Sequence, residues 1–570
     1  AALVDREQTG QGQIVRTSLL EGALSWLGHA WFISERSDWS MDLVVPRDVS
    51  QLIFRCADGK YLQFALVTAN ARAHVYGVLG IDDGAAGSPH GGLPSLAQGA
   101  RNFYGDIDLL QSYIINWKRA DLLEKLWALG VAAEPVNKPG DVWDDEQVAQ
   151  NGTIRRESDG VSRVGLPFKI EFNEAGGALR ARKTSKNAPP LQGVRIVDFG
   201  TYAAGPHASM ILGDLGADVI KVESIAGDPI HSFYRPYSTS SRGKRHLAID
   251  MKKPQGLEVA RRLCRSADIV HHNFRPGVAE RLGIDARALH QVKPSLIILE
   301  TSGYGTSGPK SQRAGIDYAL QALTGHEEYA AGEDDGLTCY NLTTVDFGAG
   351  MLGAICSLAA QLQKERTGAG ATVATSLLET GLFLLSELVH TRESGFVPLP
   401  KLNHEQTGFH PAEQLYRARD AWVAIAARTE EMARRLLAVL GLEAQVDRPR
   451  RDWGRAEATL IAGAIARRDA AAILAAFQAA GIWSAPCRAE AKEVMLRDPT
   501  LRERGTVLST QHPRYGEILQ IGSLFTLSRA KTCPSGETAA KGQHSREILA
   551  DLAYGVAEID QLCADAVVVG

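Results

Sequence analysis

Residues 5–24, DREQTGQGQIVRTSLLEGAL, return at 363–382 as QKERTGAGATVATSLLETGL. Thr9, Gly10 and Gly12 match Thr367, Gly368 and Gly370, and Ser18-Leu19-Leu20-Glu21 matches Ser376-Leu377-Leu378-Glu379, without a gap. Position 5 falls on 363, so the offset is 358 residues. Weaker likenesses follow: CADGKYLQFAL at 56–66 with ARDAWVAIAAR at 418–428, and ALGVAAEPVN at 128–137 with AAGIWSAPCR at 479–488. An offset that drifts by only a few residues marks a long tandem duplication, not the short period of a solenoid. The second copy runs from about 190 to 570 and the first has only the counterpart of its rear part. The expected division is a truncated first copy at 1–180, a linker at 181–193 around Pro189-Pro190, and a complete copy at 194–570. On this reading the chain is a fragment of a longer tandem protein.

Composition narrows the function classes. The formal net charge of -4 provides no global basic field for nucleic acid or an anionic membrane. No uninterrupted apolar run of about 18 residues suggests a spanning helix. The first twenty residues carry Asp5, Arg6, Glu7 and Arg16 and no apolar leader core, so a cytoplasmic protein is expected. The seven cysteines form no C-x-x-C pair, and buried free thiols are the expectation. No H-E-x-x-H or cysteine cluster points to a metal.

The front of the complete copy alternates strands and helices. VRIVDFG (194–200), ADVIKVES, DIVHHNF and SLIILETSGYG read as strands, and PQGLEVARRLCRSA as an amphipathic helix. That alternation predicts a parallel, doubly wound α/β sheet. Such sheets bind ligands beyond the carboxyl ends of their strands. DFGTYAAGPHA lacks G-x-G-x-x-G, so a nicotinamide enzyme with Glu223 as its ribose acid is not expected. Arg242, Lys244 and Arg245 in SSRGKRH read either as a solvated basic turn or as a seat for phosphates. Asn273, Phe274 and Arg275 combine an amide, a flat ring and a cation, a set suited to an adenine nucleotide. His271 and His272 are adjacent in a strand and should face opposite ways.

These residues resemble the class III CoA-transferases, the CaiB/BaiF type, which includes formyl-CoA transferase, carnitine CoA-transferase and α-methylacyl-CoA racemases. The matching blocks are YAAGPHASMILGDLGADVIKVES, GDPIHS, RGKRHLAIDMKKPQG, NFRPGVAERLGID, TSGYGTSGP, GIDYALQALTG, VDFGAG and ERTGAGATVATSLLE. The resemblance implies a Rossmann-like front part at 194–395, a small domain at 396–480 and a return to the large domain at 481–570. It also implies interlocking with a second unit, either the chain's own first copy or another chain. The CoA contacts it implies are Ala203, Ala204, Ile249, Asp250, Met251, Lys252, Asn273, Phe274, Arg275 and Arg281. Two family contacts differ here: a basic position is Ser224, and another is Ala314, with Arg313 beside it as a substitute. Coenzyme A enters as a thioester substrate, with no tightly bound cofactor and no metal; the partners are an acyl-CoA donor and a small carboxylate acceptor.

In the family the acid of VDFGAG, here Asp346, is the nucleophile. The residues fit that role without the resemblance. Thr343 or Thr344 is positioned to cap a helix whose apolar face is Met351, Leu352, Ile355 and Leu362. Asp346 then lies in the first turn, where free backbone N–H groups can stabilise an anion; the plainer reading is an acid that complements the helix dipole. A carboxylate suits CoA exchange between acids, because its acyl derivatives match the substrates in reactivity. Three other readings compete. A racemase of this family needs the His of a GHDINY-like motif, and that position is Ile316. The tandem form is similar to the dimethylsulfoniopropionate CoA-transferase/lyase branch. A sulfonium there would need surrounding groups such as Tyr234, Tyr237, Tyr329 and Glu327, and an α-proton base such as Glu327 or His326. The third is a CoA-binding module without turnover.

Overall fold

A computed structural model describes residues 1–38, 53–66, 70–82, 107–174, 187–332, 337–338 and 343–570. Two compact units result: Ala1–His326 with Cys339–Val397 and Leu496–Gly570, and Glu327–Thr338 with Pro398–Met495.

The larger unit begins with α1 (Ala2–Thr9), β1 (Val15–Arg16), α2 (Leu19–Leu27) and β2 (Phe32–Ser34). Later come β3 (Ser162–Val164), β4 (Phe168–Phe172), β5 (Arg195–Asp198), α3 (Ala204–Asp214), β6 (Asp218–Glu223), β7 (Arg245–Ile249) and α4 (Pro254–Ser266). β8 (Ile269–His272), β9 (Ile297–Ser302), α5 (Asp317–Thr324), α6 (Thr344–Thr367), β10 (Ala371–Ser376), α7 (Leu377–Leu384) and β11 (Val389–Thr391) follow. The return adds β12 (Gly516–Ile521), β13 (Thr526–Leu527) and β14 (Val568–Val569).

The main sheet has eight strands in the order β14-β7-β6-β5-β8-β9-β10-β4. The six central strands are parallel, and both edge strands run antiparallel to them. Val197 lies opposite Ile220 on one side and Val270 on the other. Both faces are covered, and each central strand buries apolar residues on both, while polar residues such as Asp198, Lys221 and His271 are buried with them. Val197, Ile220, Leu247 and Val270 pack with Val259 and Leu263 of α4 on one face. Ile196, Ile269, Ile297 and Leu299 pack with Ala208, Leu212, Ala354 and Ala360 on the other. Strand order reverses between β5 and β8, the switch point beside which ligands bind in such sheets. The mixed α/β expectation holds.

α6 is long and apolar enough to cross a membrane, but it lies in the core of the larger unit. Its buried side is not the one the large apolar residues suggested. Gly348, Ala349, Gly350, Gly353 and Ala354 are buried, whereas Met351, Leu352 and Leu362 are half-buried and Ile355 is 58% exposed. The reason is close approach. A Cβ on Gly350 would lie 2.7 Å from the Ala204 carbonyl oxygen, and one on Gly353 would lie 3.3 Å from Ala208 Cβ. Only small residues let α6 sit this close to α3.

The compact division does not follow the sequence repeat, because the early residues pair with late strands. β1 pairs with β13, Val15 opposite Leu527. The positions matching β1 lie in β10, which pairs with β4, Val373 opposite Ile170. Likewise Phe32 of β2 lies opposite Gln520 of β12, and His390 of β11 lies opposite Ser162 of β3. In these four pairings an early strand meets a late one, and its late counterpart meets an early one.

Short antiparallel strands Ile53–Arg55, Tyr61–Phe64 and Ala133–Pro135 form a further sheet in the larger unit. In the smaller unit Gly408–His410, Glu413–Arg417, Trp422–Ala426 and Trp483–Pro486 form a four-stranded sheet in that order. Linker residues 181–186 and Cys339 lie outside the described residues. Leu191 is fully buried and donates its N–H to Leu215 O at 2.9 Å, so that end of the expected linker is packed. The six described cysteines are free thiols. Cys56, Cys264 and Cys356 are buried, Cys487 and Cys563 are half-buried and Cys533 is exposed, so burial was expected for more of them than have it.

Candidate active site

Asp346 lies in the first turn of α6 and is half-buried. Thr343 occupies the N-cap position but makes no side-chain capping bond. The cap comes from Asp317, the first residue of α5, which follows the extended Ile316. One Asp317 oxygen, Oδ2, accepts the backbone N–H of Val345 at 2.8 Å and that of Asp346 at 2.9 Å. Its other oxygen accepts from Gln321 Nε2. The expectation of a threonine cap and free amides is therefore corrected: a second carboxylate has taken two of them.

This places two acids at one helix start. Burial pushes Asp317 up to about 7, against the backbone and Gln321 donors that favour its charged form. Burial and then the Asp317 charge hold the Asp346 carboxyl well above the usual carboxylate range.

Gly350 is one turn beyond Asp346 on the same face of α6 and lies against Ala204. Asp346 therefore lies on the face of α6 that meets the start of α3, where Ala203 precedes the helix and Ala204 opens it. Both alanines are buried. Beyond Asp346, a Cβ on Gly348 would lie 2.7 Å from Thr380 Cγ2 and 3.3 Å from Trp26 Cη2. The Phe347 ring lies edge-on to His207 at 4.4 Å and to His29 at 5.7 Å. Burial pushes His29 down to about 4 and His207 down to about 3, so both rings are neutral. Trp26 and His29 come from the early part of the chain, and no motif singled them out. A cavity of about 40 Å³ beside Phe347, lined by Gly28, His207, Arg242 and Phe525 among others, has room for water but not for an acyl chain.

The loop after β5 is held by buried charge. Asp198 accepts from Gly200 N and His271 Nδ1 at 2.8 Å each, from Ser209 Oγ at 2.6 Å and from Lys244 Nζ at 2.9 Å. Burial raises this carboxyl, but Lys244 and His271 outweigh it and hold it well below the usual range. Lys221 bridges Gly200 O at 2.8 Å and Asp228 at 2.9 Å. Asn273 grips Thr201 from both ends of its amide, accepting from N at 3.0 Å and donating to O at 2.8 Å. The Asn273 amide thus shapes the loop.

The remaining expected contacts lie along the carboxyl edge of the sheet. Ile249, the last residue of β7, is buried; Asp250 and Met251 are half-buried and Lys252 is exposed. After β8, the half-buried Phe274 stacks on His272 at 5.1 Å and Arg275 is exposed, as is Arg281 in the helix Val278–Leu282. His271 and His272 do part, one to Asp198 and the other to Phe274.

Other expectations are corrected. The basic turn is neither solvated nor free for phosphate. Arg242 makes a bidentate pair with Asp214, Lys244 is buried on Asp198, and Arg245 binds Asp218, Glu547 and Asp551. Arg313 is no free substitute beside Ala314: it lies 3.6 Å over the Trp127 ring and pairs with Glu134 at 3.3 Å. Ser224 is exposed and bonded to Gly227 O. The Tyr237 hydroxyl is buried and donates to Glu223 at 2.6 Å.

Residues 1–182 and again 191–545 match the sequence model of CoA-transferase family III. The chain belongs to CoA-transferase family III. This family III chain is similar to the succinyl-CoA:glutarate CoA-transferase of Mus musculus, 28% identical over 406 residues, 68% of this chain and 92% of that protein. It is also similar to the α-methylacyl-CoA racemase of Mus musculus, 30% identical over 392 residues, 66% of this chain and 97% of that one. Among solved structures, a CAIB/BAIF family protein from Brucella suis superposes with a TM-score of 0.55 at 25% identity, over 64% of this chain and all of that one. The family III chain is an enzyme of the CoA-transferase class.

Proposed function

We propose that the enzyme moves CoA from an acyl-CoA donor to a small carboxylate acceptor through a covalent aspartyl-CoA thioester on Asp346. The observation that carries the reading is the placement of Asp346: a half-buried acid at a helix start, on the face of α6 that packs against Ala204 beside the sheet's switch point.

In the first step an Asp346 oxygen attacks the donor thioester carbonyl. A mixed anhydride forms and CoA leaves as the thiolate. The thiolate then attacks the Asp346 carbonyl, giving the aspartyl thioester and releasing the donor acid. The acceptor carboxylate attacks that thioester, forms a second anhydride and again frees the thiolate. The thiolate attacks the acceptor carbonyl, and Asp346 returns to its carboxylate. In this reading CoA lies along the carboxyl edge, against Ala203, Ala204, Ile249, Asp250, Met251, Lys252, Asn273, Phe274, Arg275 and Arg281. Phe274 offers a ring for the base, while Lys252, Arg275 and Arg281 supply exposed cations for phosphates. Proton shuttling at the substrate α-carbon is disfavoured. Ile316 carries no proton, and Asp317 is 1% exposed, with one oxygen on backbone amides and the other on Gln321.

We further propose that the chain carries two family units in tandem that interlock. The reciprocal strand pairing supports this: β1 with β13 and β10 with β4, and β2 with β12 and β11 with β3.

The test is hydroxylamine trapping after addition of succinyl-CoA, followed by a panel of acceptors including glutarate and dimethylsulfoniopropionate. A hydroxamate located at Asp346 by mass spectrometry is expected. Asp346→Asn should lose it and lose transfer by about a thousandfold or more, with CoA binding kept. Full turnover in Asp346→Asn would overturn the mechanism. Dimethyl sulfide release would assign the lyase chemistry instead.

A further inference from the structure

We infer that Asp317 is a positioning residue for Asp346: it caps the helix that carries Asp346, and its negative charge sets the pH at which Asp346 ionises. The catalytic meaning of this rests on the nucleophile reading above; the coupling itself rests on geometry.

α6 takes its cap from a residue 29 positions away in sequence, while Thr343 at the N-cap contributes no side-chain bond. One of the two amides that Asp317 Oδ2 accepts is Asp346's own. The bond therefore fixes the backbone from which the Asp346 side chain projects. A serine or asparagine satisfies helix amides as well as an aspartate does. What the aspartate adds is a buried charge beside the half-buried Asp346 carboxylate. Like charges at one site oppose each other's ionisation. The mixed anhydride and the aspartyl thioester are both neutral at Asp346. An anionic Asp317 thus disfavours the free Asp346 carboxylate relative to the covalent intermediates. It also raises the basicity of the carboxylate that must attack.

The groups facing this helix start from other elements do not supply the same coupling. His207 of α3 and His29 after α2 are kept neutral by burial. His326, after α5, is bonded to Gly381 O at 2.9 Å and is also pushed down by burial. Glu379 of α7 bonds Ser376. Gln321 and Thr380 carry no charge. Asp317 has no route to substrate, since it is 1% exposed and both its oxygens are engaged. It acts through Asp346.

Asp317→Asn separates the two roles, because it keeps an oxygen for both amides and removes the charge. Asp317→Ser, a smaller uncharged cap, is the second variant should the first not fold. Two readouts are followed against pH in the full chain. One is the yield of hydroxylamine-trapped adduct from succinyl-CoA. The other is the infrared band of the protonated Asp346 carboxyl, assigned by its loss in Asp346→Asn. The expected result is a midpoint lower by roughly one pH unit or more in both readouts. A residue that only caps the helix would leave the Asp317→Asn midpoints where the unmodified protein has them, and an unshifted infrared midpoint overturns the inference. If the unmodified protein gives no adduct while the infrared midpoint still shifts, the nucleophile reading falls and the coupling stands.

Discussion

The turn after α1 and the turn after α6 are built the same way. Thr9 Oγ1 donates to Asp5 O at 2.7 Å, and Thr367 Oγ1 donates to Gln363 O at 2.9 Å. Gly10 and Gly368 close their helices at φ 67° and 72°, a region that glycine enters without strain. Ser18 caps α2 through Glu21 N, and Ser376 caps α7 through Glu379 N. Yet Leu19 is 95% exposed and Leu377 only 5%. β1 has one partner in a two-stranded sheet, whereas β10 lies between β9 and β4 in the eight-stranded one. The shared sequence encodes the local structure twice. What differs is the layer each copy is laid upon, which local sequence does not specify.

That difference sets the scale of the predicted effects. The largest is at the second leucine of each motif. Leu378 is 1% exposed and Leu20 is 41% exposed. Leu378→Ala should cost about 2–5 kcal/mol through lost burial and a cavity, whereas Leu20→Ala, at the exposed counterpart, should stay within about 0.5 kcal/mol. Midpoints of chemical unfolding read both, and equal shifts would mean that the early segment is covered in solution. The glycines come next. A Cβ on Gly370 would lie 2.3 Å from the carbonyl oxygens of Leu296 and Pro294, while one on Gly12 would meet nothing within 4 Å. Gly370→Ala should therefore cost about 1–3 kcal/mol by overpacking. Gly12→Ala should be neutral in the same unfolding measurement.

The same contrast between local signal and tertiary placement explains what the sequence disclosed. The parallel sheet was legible because short strands with apolar centres, such as 195–198 and 297–302, alternate with helix-length segments. The placement of Asp346 at a helix start was legible from Thr343 and Thr344 before it and the apolar spacing after it, although Thr343 makes no side-chain cap bond. Which face of α6 is buried was not. Periodicity weighs Met351, Leu352 and Ile355, but the face packed on α3 is rich in glycine and alanine, such as Gly350, Gly353 and Ala354, whose signal is weak. The basic turn misled for a different reason. Arg242, Lys244 and Arg245 are close in sequence, and their acids Asp214, Asp198, Asp218 and Glu547 become neighbours only in the fold. Asp317 stood next to a position that was read, Ile316, but its role depends on a helix that begins far along the chain.

The smallest expected difference lies in the caps. Ser18 and Ser376 make the same bond, accepting from the third residue of the helix at 3.2 Å and 3.1 Å, and each donates to its glutamate at 2.9 Å and 2.7 Å. Removing a serine cap costs about 0.5–2 kcal/mol. The exposed Ser18 belongs at the low end, because water replaces the lost acceptor. Ser376 belongs at the high end, because Glu379 is 5% exposed and loses a hydrogen-bond donor in a place water does not reach. Burial already holds the Glu379 carboxyl above its ordinary value, with the Ser376 hydroxyl opposing that rise. In Ser376→Ala this carboxyl should rise further, so the added destabilisation should grow as pH climbs past the ordinary glutamate range and Glu379 must ionise. Ser18→Ala should show no such pH dependence. Unfolding midpoints of the two variants at acidic and neutral pH separate the cases, and parallel pH curves would show that the two caps are equivalent in energy as well as in geometry.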